Sequence, residues 1–445
     1  MKVLFLEIDT EQQWALTSLG PACLGAWIRR HGHQAAMLRV GVDQGAAVVV
    51  AQIKAMAPDL LALSLTTRQW LRARSLVGQI RQVLDIPVIA GGHHPTFAPE
   101  TVLDAAGFDY VCIGEGEAAL LAVLAALGTR QRIVPGTMAN IAVARAHSPA
   151  LGPLLDPLER LPFMARDLMA EPEGVVHLLT QRGCPFACTY CSAAALARRY
   201  RPQHYHRRRS VNHVMAELAA VERQGPINYV VFLDDTFTTD EKWVLDFCRR
   251  YGDAVGAGFS INARVETVGA AMLDALAEAG CRHVIYGVES GSEKIRRQVL
   301  NRKIDNQRII EAFDLTRTAG MLVTANYMLG IPGETPTDIE ATLALNEILS
   351  PHDFGYFVFY PYPGTLLFET CQHCGYLPED QYQRPACHRR SILTLPEITD
   401  DDIAYYHDRF TAARERAYLK RFGQEFDNEQ TARVKAHYRK AATTG

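Results

Sequence analysis

Three cysteines fall within eight residues of one another, in Arg182-Gly183-Cys184-Pro185-Phe186-Ala187-Cys188-Thr189-Tyr190-Cys191-Ser192. Their spacing is Cys-x3-Cys-x2-Cys, and its chemical meaning is geometric. Three thiolates on one tight loop reach three corners of a [4Fe–4S] cube and leave one iron without a protein ligand. An open iron of that kind can chelate the amino and carboxylate groups of a methionine moiety. An electron passed into the attached sulfonium then breaks a carbon–sulfur bond and releases a carbon radical, chemistry that belongs to cofactors rather than side chains. The competing use is structural zinc, which takes four Cys or His ligands, usually as two separated knuckles. Cys371-x2-Cys374 would supply a second pair, but it lies far along the chain and brings one ligand too many. Cys371, Cys374, Cys387 and His388 could themselves hold zinc or an auxiliary cluster. Cysteines three apart also share one helix face, so the first pair reads first as core packing.

The chain around these residues has 445 positions, enough for two domains and a tail at roughly 100–200 residues per domain. With 48% apolar and 21% charged residues it has an ordinary globular composition. A net charge of −3 makes no electrostatic case for nucleic acid or an anionic membrane. The one short basic run, His206-Arg207-Arg208-Arg209, reads as a solvated helix entrance. No stretch approaches the ~18–20 uninterrupted apolar residues of a membrane span. The apolar start, Met1-Lys2-Val3-Leu4-Phe5-Leu6-Glu7-Ile8, is too short for a signal peptide and has no small-residue cleavage site after it. The expectation is a buried strand in a cytoplasmic protein. In a reducing compartment the cysteines form no disulfide framework.

Before the cysteine loop, apolar runs at 3–8, 35–40, 60–65, 87–90 and 110–113 alternate with helical patterns at 48–56, 71–83, 99–106 and 117–127. A first helix carries Leu24, Trp27 and Ile28 on one face. Such alternation predicts a parallel sheet with helices on both sides, a doubly wound α/β domain. Ligands of these sheets bind at the carboxyl ends of the strands. The residues there are Ser64, Thr66 and Thr67, then Gly91-Gly92-His93-His94-Pro95-Thr96, then Gly114-Glu115-Gly116. Small residues and glycines let backbone approach a large planar or phosphate-bearing cofactor, although a glycine pair also simply ends a strand. Asp9-Thr10-Glu11-Gln12 follows the first strand in place of Gly-x-Gly-x-x-Gly, which disfavours NAD or FAD.

Prolines crowd residues 130–172, as in a linker. A strand at 175–180 leads into the cysteine loop, and further strands follow at 229–233, 258–262, 284–288, 323–329 and 356–360. They end in polar or glycine-rich groups: Asp234-Asp235, Glu289-Ser290-Gly291, Gly330-Ile331-Pro332-Gly333-Glu334 and Pro361-Tyr362-Pro363-Gly364, with Arg264 behind the second of them. The carboxyl ends of barrel strands are where an active site lies.

This arrangement resembles the radical S-adenosylmethionine superfamily, whose fold is a partial (β/α)6 barrel. The resemblance implies that Cys184, Cys188 and Cys191 ligate the cluster. It also implies that Phe186 and Tyr190 flank S-adenosylmethionine, with Tyr190 against adenine. By the same resemblance Asp234 and Asp235 help hold the methionine amino group or line the substrate side. Glu289 and Ser290 meet the ribose or methionine, and Gly330, Ile331 and Pro332 contact adenine. The doubly wound domain in front resembles that of the superfamily's cobalamin-binding branch, over about residues 1–365. The segments carrying that likeness are Leu19-Gly20-Pro21 with Leu24, Gly91-Gly92-His93-His94-Pro95-Thr96, and Asp109-Tyr110-Val111-Cys112-Ile113-Gly114-Glu115-Gly116-Glu117. In that branch equivalent loops cradle the corrin and its nucleotide tail, which here implicates Ser64, Thr66, Gly91, Gly92, His93, His94, Gly114, Glu115 and Gly116. The Asp-x-His-x-x-Gly motif that supplies a lower axial histidine elsewhere is absent from the first 150 residues, as in most members of this branch.

The implied organisation is a Rossmann-like cobalamin-binding domain at 1–140, a linker at 141–172, a radical barrel at 173–365 and a mainly helical region at 366–445 capping it. The implied cofactors are a [4Fe–4S] cluster, S-adenosylmethionine and cobalamin. The implied partners are a small-molecule substrate and an electron donor such as flavodoxin or ferredoxin. The implied activity is methyl transfer: a 5′-deoxyadenosyl radical takes hydrogen from an unactivated carbon, which then receives the methyl group of methylcobalamin. No side chain is singled out as catalytic. Two alternatives stand beside it. One is an oxidative cyclase or rearrangement enzyme similar to the anaerobic magnesium-protoporphyrin monomethyl ester cyclase. The other is a radical enzyme whose first domain binds no corrin. Methylthiolating relatives are disfavoured, since their first domain brings three further cysteines and this one has only Cys23 and Cys112.

Overall fold

In a computed structural model, residues 1–10, 19–143, 149–384 and 389–422 are described. They divide into two compact units, Met1–Glu171 with Tyr200–Gln203, and Pro172–Arg199 with the residues from His204 onward.

In the first unit β1 (Lys2–Ile8), β2 (Gln34–Val40), β3 (Leu60–Ser64), β4 (Val88–Gly91) and β5 (Tyr110–Cys112) run parallel in the order 2-1-3-4-5. A short β6 (Ile141–Ala142) closes the edge antiparallel to β5. The strands are nearly continuous apolar runs because helices cover both faces. Their alternation still sorts the side chains: Leu4, Leu6 and Ile8 join Val49, Trp70 and Val77 on one side. Val3 and Phe5 join Ile28, Leu120 and Val123 on the other. The covering helices are α1 (Leu19–Arg30), α2 (Ala46–Met56), α3 (Thr67–Arg81), α4 (His93–Phe97), α5 (Pro99–Leu103) and α6 (Glu117–Gly128). Strand order reverses between β1 and β3, the switch point at which sheets of this order bind ligands.

The second unit places β7 (Val175–Leu178) at one end of a six-stranded parallel sheet. A small antiparallel pair, β8 (Gln181–Arg182) and β9 (Arg207–Arg208), stands apart from it. From β7 the large sheet continues through β10 (Tyr229–Phe232), β11 (Gly258–Ala263), β12 (Cys281–Glu289), β13 (Leu322–Leu329) and β14 (Asp353–Val358). Helices α7 (Ser192–Arg199), α8 (Val211–Glu222), α9 (Glu241–Ala254), α10 (Ala270–Glu278), α11 (Asn306–Thr318) and α12 (Pro336–Leu349) connect these strands, the pattern of an incomplete barrel. Ser210, Asp240, Asp305 and Thr335 start α8, α9, α11 and α12 by accepting a backbone N–H of the first turn. Two further helices follow, α13 (Leu366–His373) and α14 (Asp400–Phe422). Phe410 of α14 packs on Tyr327, Phe354 and Tyr356, and Arg414 pairs with Asp353 at 2.7 Å.

Two expectations change. The basic run is not a solvated face: Arg207 and Arg209 are buried. Arg209 pairs with Glu217 at 2.6 Å and donates to the Leu179 carbonyl at 2.8 Å, while Arg208 lies over the Trp243 ring at 4.5 Å. Long basic stems fill apolar space while their heads find acceptors, which a count of charges does not reveal. The proline-rich stretch also does more than connect. Ile141 and Ala142 add a strand, and the carboxamide of Asn140 joins the Ile113 carbonyl at 2.6 Å to the Gly152 N–H at 2.7 Å. The expected last helix near 434–441 and the residues Cys387 and His388 lie outside the described residues. Among those described, no helix is long and apolar enough to cross a membrane.

Candidate functional site

The cysteine loop leaves β8 and is held by two segments, Val299–Asn301 and the start of α13. Thr189 donates its hydroxyl to the Val299 carbonyl at 2.6 Å and its N–H to that of Leu300 at 3.3 Å. Asn301 donates to the Ala187 carbonyl at 2.8 Å, and Leu367 N–H to that of Thr189 at 2.9 Å. Cys184 and Cys188 are buried and Cys191 is half-buried. Burial raises the Cys184 thiol and pushes that of Cys191 up to about 12. Thiolate ligation here therefore draws on the charge of a bound metal centre. Cys184 Sγ lies 3.6 Å from the Thr236 hydroxyl, and Cys188 Sγ accepts from Arg264 Nη1 at 3.0 Å.

Among the described residues, no three Cys, His, Asp or Glu side chains converge as a single metal ion would require. A cube takes each thiolate on a different iron, so it asks for sulfurs spread around it. The donor set, three thiols on one braced loop, fits a cluster.

Asp234 and Asp235 part company. Asp234 is fully buried and accepts the Thr180 N–H at 2.8 Å, the Thr180 hydroxyl at 2.9 Å and the Gln181 N–H at 2.9 Å. Burial lifts its carboxyl to about 6, against these hydrogen bonds. It braces the turn that launches the cysteine loop and has little left for a ligand. Asp235 is exposed, and its charge is felt at Cys184 and Cys191.

At the end of β12, Tyr190, Glu289 and Arg302 form one group, with Arg302 buried and the other two half-buried. Tyr190 donates to Glu289 Oε1 at 3.1 Å, and Arg302 Nη1 reaches both, at 3.1 Å from the carboxylate and 3.2 Å from the hydroxyl. Glu289 takes φ +71°, turning its carboxylate back over Gly287, where an added Cβ would stand 2.3 Å from Oε1. Ser290 is buried, its hydroxyl accepting the Ser292 N–H at 3.2 Å. Fully buried Arg296 holds the Ser290 carbonyl, the Ile304 carbonyl at 3.3 Å and Asn306 Oδ1 at 2.5 Å. Beyond β13, Gly330, Ile331 and Pro332 are buried, and Glu334 Oε2 accepts the Gly330 and Ile331 N–H groups at 2.8 and 3.2 Å. Side chains of this segment thus point into the protein, which leaves its backbone for a planar ligand.

In the first unit, Ser64, Gly91 and Gly114 to Gly116 are half-buried at the adjoining ends of β3, β4 and β5. Gly92 has φ +93°, and a Cβ there would lie 2.7 Å from the Leu65 nitrogen, so no other residue fits the turn. Thr66 is bound into the start of α3, its N–H and hydroxyl both directed at Gln69 Oε1, at 2.9 and 3.0 Å. His93 is exposed, whereas His94 is buried and stacked on Trp70 at 4.8 Å. Its ring nitrogens meet the hydroxyls of Thr101 at 2.9 Å and Thr67 at 3.3 Å. His94 therefore belongs to the core, with both nitrogens engaged. Glu115 N–H donates to the Tyr200 hydroxyl at 2.7 Å. Small, half-exposed residues on the neighbouring carboxyl ends of β3, β4 and β5, running from the switch point outward, fit a broad planar cofactor. Tyr200 was not among the residues singled out by the sequence, and Arg264 was noted only as following a strand, because each acts through a contact far away in sequence.

The chain matches the family model described as the Radical SAM superfamily over residues 178–345, and that of the B12 binding domain over residues 15–124. It is 28% identical to an uncharacterised methyltransferase (PH0819) of Pyrococcus horikoshii, over 79% of this chain and 77% of that protein. It is 24% identical to the anaerobic magnesium-protoporphyrin IX monomethyl ester cyclase of Rubrivivax gelatinosus, over 72% of this chain and 59% of that one. The fold is that of the radical S-adenosylmethionine methyltransferase TsrM of Kitasatospora setae, solved with cobalamin and a [4Fe–4S] cluster. The TM-score is 0.67 at 16% identity, over 84% of this chain and 76% of that one.

Proposed function

The chain belongs to the cobalamin-binding branch of the radical S-adenosylmethionine superfamily, and we propose that it methylates an unactivated carbon of a small molecule. The observation that supports this reading is the joint presence of the two matched segments. One unit carries a braced Cys-x3-Cys-x2-Cys loop, and the other is a 2-1-3-4-5 sheet with small residues at the carboxyl ends of β3, β4 and β5. The methyltransferase relative, which covers most of both chains, favours methyl transfer.

When bound, the cofactors supply a carbon radical and a transferable methyl group, which a carbon without nucleophilic character needs. The residues supply placement and exclusion of water. Cys184, Cys188 and Cys191 hold the cluster. Asp235, exposed and near enough for its charge to reach Cys184 and Cys191, would take the methionine amino group, while Asp234 fixes the loop itself. Tyr190, with Phe186, flanks the adenosine, and its hydroxyl is held by Glu289 and Arg302. The backbone of Gly330, Ile331 and Pro332 meets adenine. Ser64, Gly91, Gly92, His93, Gly114, Glu115 and Gly116 frame the corrin, with Thr66 and His94 shaping the wall behind them. Residues 1–140 carry cobalamin, 173–365 the cluster, and 366–445 adjoin the substrate. A low-potential donor of the flavodoxin or ferredoxin kind delivers the electron, in the cytoplasm.

Anaerobic incubation with S-adenosylmethionine and reductant tests the reading. 5′-Deoxyadenosine together with S-adenosylhomocysteine supports methyl transfer. The cyclase likeness supports a second reading, oxidative cyclisation, for which deoxyadenosine would appear alone. A purified chain that retains no corrin after reconstitution overturns both.

A further inference from the structure

Arg264 stands at the carboxyl end of β11, its carbonyl accepting the Thr267 N–H at 3.0 Å and the Thr267 hydroxyl at 2.8 Å. The side chain is buried, and three different contacts fix its head. The guanidinium carbon lies 4.0 Å from the ring centre of Phe186, inside the cysteine loop. Nε donates to Glu266 Oε1 at 2.7 Å, and Nη2 bonds the same oxygen. Nη1 is left to donate to Cys188 Sγ at 3.0 Å. Cys184 Sγ has the Thr236 hydroxyl at 3.6 Å, whereas the hydrogen bond from the guanidinium falls at Cys188.

Reduction adds one electron to a cluster and so increases its negative charge. Hydrogen bonds to the sulfurs and nearby positive charge favour that state, which is how a protein sets a cluster's potential. We propose that Arg264, with its charge moderated by Glu266, sets the reduction potential of the cluster held by Cys184, Cys188 and Cys191. The step concerned is transfer of one electron from a low-potential donor, which is oxidised by one electron, to the oxidised cluster. No bond is made or broken in it. The inference rests on the cluster assignment, which iron and sulfide content per chain checks independently.

The test is a redox titration of the anaerobically reconstituted full chain, without S-adenosylmethionine, followed by the paramagnetic resonance signal of the reduced cluster. At the wild-type midpoint, R264Q should show a reduced-to-oxidised ratio roughly tenfold lower, which for a one-electron couple is 59 mV more negative. R264K, keeping the charge but not the fork, should fall between. E266Q should move the midpoint the other way, because it unmasks the guanidinium. A fully loaded R264Q whose ratio stays within about twofold of wild type would overturn the proposal. So would a negative shift in E266Q, which decides the matter alone should R264Q take up no iron. Weaker binding of S-adenosylmethionine with an unchanged potential would assign Arg264 to the ligand's carboxylate instead, again against the proposal.

Discussion

The hydroxyl of Tyr190 donates to the carboxylate of Glu289 at 3.1 Å, joining the aromatic of the cysteine loop to the end of β12. Burial raises the Glu289 carboxyl and, with that carboxylate beside it, holds the Tyr190 phenol well above its usual range. What keeps the carboxylate charged is Arg302, whose side chain is 3% exposed and pairs with it at 3.1 Å.

Removing one partner of this group should cost more than removing another. E289Q keeps the shape but strands a buried guanidinium, and breaking a buried pair in this way costs about 3–5 kcal/mol. Y190F removes two hydrogen bonds, about 1–3 kcal/mol. Urea unfolding of the two variants and their double should give that order, with the double less destabilised than the sum because the residues share one network. An E289Q chain as stable as wild type would mean that Arg302 finds another acceptor and the group is not a unit.

Glu334 makes stability depend on pH in the alkaline direction. It is fully buried, its Oε1 has no hydrogen-bond partner among the described residues, and burial pushes its carboxyl up from 4.5 to about 8. The folded chain therefore keeps a proton that the unfolded chain has released. The stability linked to this group is complete below the ordinary value and is lost as pH rises through the folded one, at about 1.4 kcal/mol per unit of separation. Denaturant midpoints measured from pH 5 to 9 should fall for wild type across that window and fall less for E334Q. Parallel curves for the two would remove Glu334 as the source.

The alternating strands and helices of the first unit, the barrel strands and the cysteine loop were legible in the sequence because each is a local pattern: apolar runs, helical periodicity, fixed spacing. Strand ends were legible too, but what their residues do was not. Asp234 and Asp235 are adjacent and chemically identical, yet Thr180 and Gln181, more than fifty positions earlier, take all that Asp234 offers. Arg264 acquires its meaning only from Cys188, and Gly114 from Tyr200, whose hydroxyl would stand 2.1 Å from an added Cβ. The basic run misled for the same reason, since charge is local and burial is not.

Iron uptake should separate the two groups of cysteines. C184A, C188A and C191A should each lose most iron and sulfide and yield no 5′-deoxyadenosine, while C371A and C374A keep both. Cys371 is buried on α13 and Cys374 is exposed at its end, the placement of packing and surface residues. Deoxyadenosine produced by a triad variant would overturn the ligand assignment. Iron lost from C371A or C374A would reopen a second metal site.

His94 offers the sharpest check on how the first unit meets cobalt. Its ring is 1% exposed, stacked on Trp70, and burial lowers it to about 4, so it stays neutral near pH 7 with Thr67 and Thr101 at its nitrogens. H94L should therefore cost about 1–3 kcal/mol of stability through two lost hydrogen bonds and a lost ring contact. It should leave the spectrum of bound cob(II)alamin unchanged, and so should H93A. Nitrogen splitting present in wild type and absent from H94L would mean that the ring leaves Trp70 to ligate the metal. The two hydroxyls argue against that movement, because it would give up two satisfied hydrogen bonds for one coordinate bond and open a cavity beside a fully buried tryptophan.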